Sequence, residues 1–223
     1  FVIMERSAII VAGGLGKRMG ASIPKQFLLL KGKPLLCYSI DAFRAYNVTM
    51  QIVVVLPEAQ IPIWKSLCIG HKFFTEHEIV AGGEERFHSV QKGLTKVTHN
   101  GVVAVHDGVR PLVDVGLIGR CFDGAKANGS AIPVVPISSS IREVMPEGSR
   151  AMDRTGFRIV QTPQCFRTDL LRKAFELPYD RAFTDEATLV ERLGEPVHLV
   201  EGDDANLKIT TPMDLRVAEG LVV

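Results

Sequence analysis

Glycines and two cations follow the first apolar segment of the chain at a spacing that suits a polyphosphate ligand. The run at residues 8–11 reads as a buried strand and is followed at once by three glycines, Gly13, Gly14 and Gly16. Glycine lets backbone N–H groups approach a ligand closely, and successive N–H groups form an anion-binding concavity. Arg18 and Lys25 add two positive charges. The stretch therefore predicts a phosphate-binding loop.

Two commoner phosphate-binding loops do not fit this stretch. A P-loop requires G-x-x-x-x-G-K-[ST], whereas Arg18 follows Lys17 here and the glycine spacing differs. The dinucleotide motif requires G-x-G-x-x-G, and Met19 stands where its last glycine belongs. A plain glycine-rich turn with solvated lysines is the simplest alternative. The glycines and both cations share one strand-to-helix connection, which favours the phosphate site.

Two later loops carry further groups of the same chemistry. Gly82–Ser89 opens with two glycines at the start of a predicted helix, and taken alone it is an ordinary helix N-terminus. His106–Pro111 follows an apolar strand, and there Asp107 offers a carboxylate that can hold Mg²⁺ beside a triphosphate. Arg110 in the same loop can meet a second phosphate. The alternative for this loop is a strand-ending Asp-Gly turn.

The elements that must position these loops alternate regularly between strand and helix. Apolar runs predict strands at 8–11, 51–56, 77–81, 102–105 and 131–135, with helices at about 34–46, 59–68, 84–97 and 115–127. Because the runs are continuous, we expect a mostly parallel twisted sheet with helices on both faces, an α/β fold. Ligands of such sheets lie beyond the carboxyl ends of the strands. The three loops should therefore converge on one rim.

The alternation breaks between residues 136 and 158. A Pro-Glu-Gly turn lies between two possible strands, Ile141–Met145 and Ala151–Asp153, which predicts a projecting β-hairpin arm at about 137–158. The main domain should resume at 159–164, and the remaining expected elements are helices at 169–176 and 185–193, strands at 197–200 and 207–210, and a last helix from residue 212. We interpret residues 4–223 as a single domain that carries this arm.

Composition limits the class of protein. The chain has 223 residues, of which 46% are hydrophobic, and a formal net charge of +1, so we expect neither nucleic acid nor a membrane as a partner. The four cysteines are far apart and form no C-x-x-C or zinc pattern. They read as reduced thiols, which predicts a cytoplasmic location. Phe1-Val2-Ile3 precede the first methionine and are left out of the expected fold.

The first stretch resembles the nucleotidyltransferases that join a nucleotide to a sugar or polyol phosphate, whose pattern is A-G-G-x-G-x-R-M…P-K. Its continuation Pro24–Leu28 looks most like the CDP-polyol branch, and above all like the 2-C-methyl-D-erythritol 4-phosphate cytidylyltransferase family. The resemblance covers about residues 5–220. It implies a Rossmann-like fold, CTP and a polyol phosphate as substrates, and Mg²⁺ or another divalent cation.

The resemblance also implies the site residues. The expected catalytic residues are Arg18 and Lys25. The expected nucleotide-binding residues are Ala12, Gly13, Gly14, Gly16, Gly82, Glu84 through its main chain, Ser89, Gly108 and Lys208. The expected acceptor-binding residues are Asp107, Arg110, Ser140, Arg154, Thr162, Thr184 and Lys208, with Asp107 also the metal ligand.

Some positions depart from the family pattern and keep alternatives open. Gly108-Val109 stand where the family usually has two alanines, which is nearer the ribitol-5-phosphate cytidylyltransferases. The acidic residue usual in the arm is also missing before Ser140. Asp153-Arg154 and Thr184-Asp185-Glu186 favour methylerythritol phosphate as the acceptor. A CTP-sensing module without turnover is the alternative from another class. An NAD(P)-dependent oxidoreductase lacks the last glycine of its motif.

The arm predicts a homodimer. An isolated two-stranded hairpin is marginal in water, yet this arm carries the apolar residues Ile137, Ile141, Val144 and Met145. A two-fold partner would cover them. The resemblance implies shared active sites, in which Arg154 meets the acceptor phosphate of the neighbouring subunit.

Overall fold

A computed structural model describes residues 5–14 and 23–222 of the chain. The strands within these ranges are β1 (Arg6–Val11), β2 (Leu29–Leu30), β3 (Lys33–Pro34), β4 (Gln51–Leu56), β5 (Glu78–Ala81), β6 (Val102–Asp107), β7 (Ser130–Pro136), β8 (Ile141–Met145), β9 (Gly148–Met152), β10 (Arg158–Val160), β11 (Gln164–Arg167) and β12 (Leu199–Glu201). The helices are α1 (Leu35–Tyr46), α2 (Ile61–Gly70), α3 (Arg86–Leu94), α4 (Val115–Asn128), α5 (Thr168–Ala174), α6 (Glu186–Arg192) and α7 (Pro212–Leu221).

The main sheet confirms the expected Rossmann-like α/β architecture. Its strands follow the order β10-β7-β11-β6-β1-β4-β5, and β12 pairs with β7. The pairs β1–β4, β1–β6 and β4–β5 are parallel. Strand β11 lies antiparallel between β6 and β7. The mostly parallel half of the sheet is therefore the half built from the continuous apolar runs.

Both faces of the sheet are covered, so consecutive strand residues enter different cores. Along β1, Ala8 and Ile10 pack with helices α1 and α4 on one face. Ile9 packs on the other face, with α3, α5 and α6. In α4, a Cβ on Gly124 would lie 2.8 Å from the Ala131 Cβ. That glycine permits the close contact between helix α4 and strand β7, and the helix continues through it.

The arm forms a sheet of its own. Strands β8 and β9 pair antiparallel from Ile141 opposite Met152 to Met145 opposite Gly148. Its apolar residues remain largely open to solvent, with Val144 85% and Met145 40% exposed. Apolar side chains next to the arm, Phe157, Ile159 and Val160, are exposed as well. The hairpin therefore lies where the sequence predicted it, with β9 beginning before the expected Ala151.

Two expected elements differ from the structure. The strand predicted at 207–210 is wrong: this segment is a loop in which the Ile209 N–H donates to the Val109 carbonyl at 2.9 Å while its side chain is buried. Helix α3 is shorter than predicted, because Glu85 has an extended backbone and the helix begins only at Arg86. No helix in the described ranges is both long and apolar enough to span a membrane.

Candidate active site

The three predicted loops meet at one cavity of about 310 Å³ beyond the carboxyl ends of the parallel strands. Parallel strands place their following loops on the same edge of the sheet, which is the usual ligand position in this architecture. The cavity is lined by Val11, Ala12, Gly13, Gly14, Lys25, Gln26, Pro57, Gly82, Gly83, Glu84, Glu85, Arg86, Ser89, Asp107, Val109 and Lys208. The expected convergence of loops is therefore present.

A buried glutamine connects the two described parts of the first loop. The Gln26 amide donates to the Ala12 carbonyl and to Gln60 Oε1, both at 2.6 Å, so it ties the Lys25 turn to the end of β1. A Cβ on Gly14 would lie 2.9 Å from the Lys25 Cε, so the end of the lysine side chain lies close to this part of the loop. Lys25 and the glycines therefore face the same space, as predicted. Gly16 and Arg18 lie outside the described residues.

The second loop closes the opposite wall of the cavity. Ser89 Oγ accepts a hydrogen bond from the Gly83 N–H at 3.1 Å, and the Gly82 N–H donates to the Leu56 carbonyl at 2.8 Å. A Cβ on Gly82 would approach Ser89 Oγ to 2.8 Å, and one on Gly83 would approach the His88 Cβ to 2.4 Å. The two glycines thus allow the loop to fold tightly onto the first turns of α3. Residues 82–86 and Ser89 thus form one wall of the cavity.

Asp107 lines the cavity and lies among three cationic side chains. Its Oδ2 lies 2.8 Å from Lys208 Nζ and 3.7 Å from Arg110 Nε, and its Oδ1 lies 3.7 Å from Arg86 Nη2. Burial alone would raise the pKa of Asp107, but Arg86, Lys208 and Arg110 together hold that pKa well below its usual range. Asp107 is therefore an ionised carboxylate surrounded by cations.

Arg86 and Glu186 were missed as site residues by the sequence reasoning. Arg86 Nη1 lies 2.5 Å from Glu186 Oε1, and the glutamate side chain is only 2% exposed. Burial would lower the pKa of Arg86, but Glu186 and Asp107 raise it, so the guanidinium stays charged. The two residues are 100 positions apart. The motif that contains Arg86 was recognised, but nothing local in it indicated the partner.

Thr162 and Arg110, both predicted to bind the acceptor, make hydrogen bonds within the protein near the end of β6. Thr162 Oγ1 accepts from the Asp107 N–H at 3.0 Å and bonds His106 Nδ1 at 3.1 Å. Arg110 Nη1 donates to the Asn206 carbonyl at 2.7 Å. Gly108 packs beneath Ala12 and does not line the cavity. The predicted ligand contacts of Thr162, Arg110 and Gly108 stay predictions.

The remaining predicted acceptor residues lie away from the cavity wall of their own chain. Ser140 and Arg154 belong to the exposed arm, where Arg154 Nη1 donates to the Ser138 carbonyl. Thr184 is exposed next to Asp185, which caps helix α6. None of the three lines the cavity. Their roles stay predictions.

A divalent cation fits this donor set only with help from a substrate. No cluster of three or more His, Cys, Asp or Glu side chains suited to a metal occurs in the described part of the chain. Mg²⁺ commonly uses one or two carboxylates together with substrate phosphates. Asp107 is one ionised carboxylate among the cations that line the cavity, so its chemistry fits such a site.

Comparisons with known proteins agree with this geometry over the full length of the chain. A family model described as IspD: 2-C-methyl-D-erythritol 4-phosphate cytidylyltransferase matches residues 7–223. The enzyme of that name from Bacteroides thetaiotaomicron is 48% identical over 98% of this chain and 100% of its own length. The Bacillus velezensis enzyme is 40% identical, over 98% and 96%.

A solved structure gives the same result. The crystal structure of 2-C-methyl-D-erythritol 4-phosphate cytidylyltransferase from Thermus thermophilus matches with a TM-score of 0.80 and 35% identity, covering 98% of both chains. Fold and sequence thus agree with the resemblance carried by the glycine and cation motifs. The chain belongs to the 2-C-methyl-D-erythritol 4-phosphate cytidylyltransferase family.

Proposed function

We propose that this enzyme transfers the cytidylyl group of CTP to the phosphate of 2-C-methyl-D-erythritol 4-phosphate and releases pyrophosphate, a step of isoprenoid biosynthesis. The full-length match to one family carries the proposal. The match is to the methylerythritol branch, which favours that acceptor over ribitol phosphate. The Gly82–Ser89 loop forms a wall of the cavity where the base is proposed to lie, and Lys25 and Lys208 offer cations for phosphates.

The chemistry is a substitution at the α-phosphate of CTP. An oxygen of the acceptor phosphate attacks the α-phosphorus, the bond to the β-phosphate oxygen breaks, and pyrophosphate leaves with that electron pair. The acceptor phosphate is already anionic near neutral pH, so no general base is needed. The barrier is the approach of two anions, which positioned cations lower. Lys25 and Lys208 face the cavity for this role, and Arg18 is proposed to join them.

Asp107 would hold Mg²⁺ or another divalent cation against the CTP phosphates, where the ion would neutralise charge on the phosphate oxygens. The chain's own contribution is to keep the carboxylate ionised and fixed. The Thr162 hydroxyl holds the Asp107 backbone N–H, and the surrounding cations hold the carboxylate in its charged form. The wall from Gly82 to Ser89 is proposed to select cytosine. The four free cysteines suit a reducing cytoplasm.

Release of pyrophosphate tests the reaction. CTP should support faster release than ATP, GTP or UTP, and methylerythritol phosphate should outperform ribitol 5-phosphate. Lys25→Ala should lower kcat by roughly 10²–10³, the scale for deleting one transition-state charge contact. Equal rates with both polyol phosphates would refute the choice of acceptor. CTP binding without any turnover would indicate the sensing module instead.

We also propose that the enzyme is a homodimer whose arms complete the partner's site. The arm leaves Val144 and the neighbouring Ile159 exposed, and Arg154 does not line the cavity of its own chain. Mixing inactive Lys25→Ala and Arg154→Ala chains after dissociation tests this arrangement. Half of the dimers are then mixed, and each has one intact site, so roughly a quarter of wild-type activity should return. Proven subunit exchange without recovery would refute the shared site.

A further inference from the structure

A buried carboxylate that does not line the cavity forms an ion pair with one of the cations that do. Glu186 begins helix α6, and its Oε1 lies 2.5 Å from Arg86 Nη1. The same guanidinium presents Nη2 to Asp107 Oδ1, but at 3.7 Å. Arg86 therefore lies between two carboxylates and is much closer to the one that does not line the cavity.

Glu186 stands in a segment that several hydrogen bonds hold, whereas Arg86 is partly exposed. Asp185 caps α6 through a capping box with Thr188, and its Oδ2 also accepts from Gln164 Nε2 at 2.9 Å. Gln164 Oε1 in turn accepts from the Ala187 N–H at 3.1 Å. These bonds fix the chain on both sides of Glu186. Arg86 is a long side chain at the beginning of α3 and is 30% exposed.

Because the second carboxylate oxygen of Glu186 is buried and unpaired among the described residues, the Glu186–Arg86 ion pair would be a costly way merely to stabilise the fold. Oε2 is buried without a hydrogen-bond partner among the described residues. Burial raises the pKa of Glu186, and Arg86 opposes that rise. A neutral glutamine could fill the same space, keep its carbonyl on Arg86 and place its amide at the Oε2 position. What the glutamate adds over glutamine is negative charge directed at Arg86.

That charge matters because of the way the oxygens of Asp107 are used. Oδ2 lies 2.8 Å from Lys208 Nζ and 3.7 Å from Arg110 Nε, whereas Oδ1 has one ion pair among the described residues, with Arg86 at 3.7 Å. Oδ1 is therefore the oxygen of Asp107 that is better placed to accept a cation carried by a nucleotide. A guanidinium released from Glu186 would be drawn to this oxygen and would compete with that cation.

We propose that Glu186 is a positioning residue that holds Arg86 away from Asp107 and so keeps the Asp107 carboxylate open for the cation-bound triphosphate. This inference rests on the proposed function, and it links the acceptor-side segment at the beginning of α6 to the nucleotide site. Glu186 acts only through Arg86 and touches neither substrate.

Direct metal binding tests the proposal. Binding of Mn²⁺ to the intact enzyme is measured in the presence of CTP by the loss of the free-ion electron paramagnetic resonance signal. Glu186→Gln should weaken this binding by roughly 10- to 100-fold, the usual effect of changing the partner of a metal-ligand side chain. In turnover, the half-saturating Mg²⁺ concentration should rise more than kcat falls. Glu191→Gln, an exposed change on the same helix, is the matched control.

A double-mutant comparison separates positioning from a merely structural role. If Glu186 acts through Arg86, Mn²⁺ binding by Arg86→Gln/Glu186→Gln should equal that of Arg86→Gln alone. Additive losses, or Glu186→Gln with wild-type Mn²⁺ binding, would overturn the proposal. If Glu186→Gln fails to fold, Glu186→Asp keeps the charge at a longer distance and should bind Mn²⁺ with intermediate affinity; unchanged affinity would also overturn it. Wild-type enzyme that releases no pyrophosphate from CTP would instead refute the proposed function.

Discussion

His106 should make the stability of the enzyme depend on pH in a range that can be calculated. The side chain is fully buried, with Nε2 3.4 Å from the Arg110 carbonyl and Nδ1 3.1 Å from Thr162 Oγ1. A carbonyl only accepts, so Nε2 carries the proton and Nδ1 accepts from the Thr162 hydroxyl. Burial lowers the pKa of His106 to about 4. A second proton would break the bond donated by Thr162, whose oxygen also holds the Asp107 N–H.

The direction and size of the pH effect on stability follow from the difference between the pKa of His106 in the folded and in the unfolded chain. An unfolded histidine has a pKa near 6.5, so the unfolded chain takes up a proton before the folded one does. Stability is therefore full above about pH 6.5 and falls as the pH drops toward the folded value of about 4. The total loss is about 3 kcal/mol, of which about 2 kcal/mol falls between about pH 7.5 and about pH 5.

Urea unfolding of wild type and His106→Gln at both pH values measures this loss. Glutamine can donate to the Arg110 carbonyl and accept from Thr162 but does not titrate, so the variant should lose about 2 kcal/mol less than wild type over that range. Contributions of other groups cancel in the difference. The exposed His71→Gln is the control and should keep the wild-type pH dependence. Equal pH dependence in wild type and His106→Gln would refute the reasoning.

Three further outcomes are expected. Asp107→Asn should raise the half-saturating Mg²⁺ concentration about tenfold or more without unfolding; an unchanged titration would make Asp107 a turn residue only. His77→Phe should lower the free energy of unfolding by about 1–3 kcal/mol, because Trp64 Nε1 donates to His77 Nε2 at 2.9 Å and would lose its acceptor. Urea unfolding followed by tryptophan fluorescence measures this loss. Gly124→Ala should lower the melting temperature, because the added Cβ would lie 2.8 Å from a Cβ on β7. Gly220→Ala in α7 is the control, because its Cβ would meet open space and should not lower the melting temperature. Equal melting temperatures of the two variants would contradict the packing argument.

Local patterns account for much of the fold and for the loops of the site. The continuous apolar run Gln51–Leu56 predicted β4 at its observed bounds, because burial on both faces leaves no polar alternation to confuse it. The Gly82 loop was expected at the cavity, and it lines the cavity, but the Gly82 and Gly83 N–H groups donate to the Leu56 carbonyl and to Ser89 Oγ. The loop at 207–210 shows the limit of such patterns. Ile209 is buried and Leu207 is partly buried, as apolar residues of a strand would be, but the segment is a loop in which the Ile209 N–H donates to the Val109 carbonyl.

The order of strands was decided only by tertiary structure. Periodicity identifies a strand but not its neighbours, and β11 lies antiparallel between β6 and β7. That insertion brings the Thr162 hydroxyl to the Asp107 N–H at 3.0 Å. The sequence showed a carboxylate at a strand end and a threonine far along the chain. Their contact depends on the pairing of distant strands.

The sequence by itself determined several of the residue types that line the site: glycines, cations for phosphate, and one carboxylate after a strand. Those choices are local, because a glycine or a charge acts within a few ångströms of its own backbone. Tertiary structure alone decided how the charges pair. Asp107 meets Lys208 at 2.8 Å, and Arg86 meets Glu186 at 2.5 Å across 100 residues. Coulomb energy depends on distance in space and on burial, and neither can be read from position along a chain.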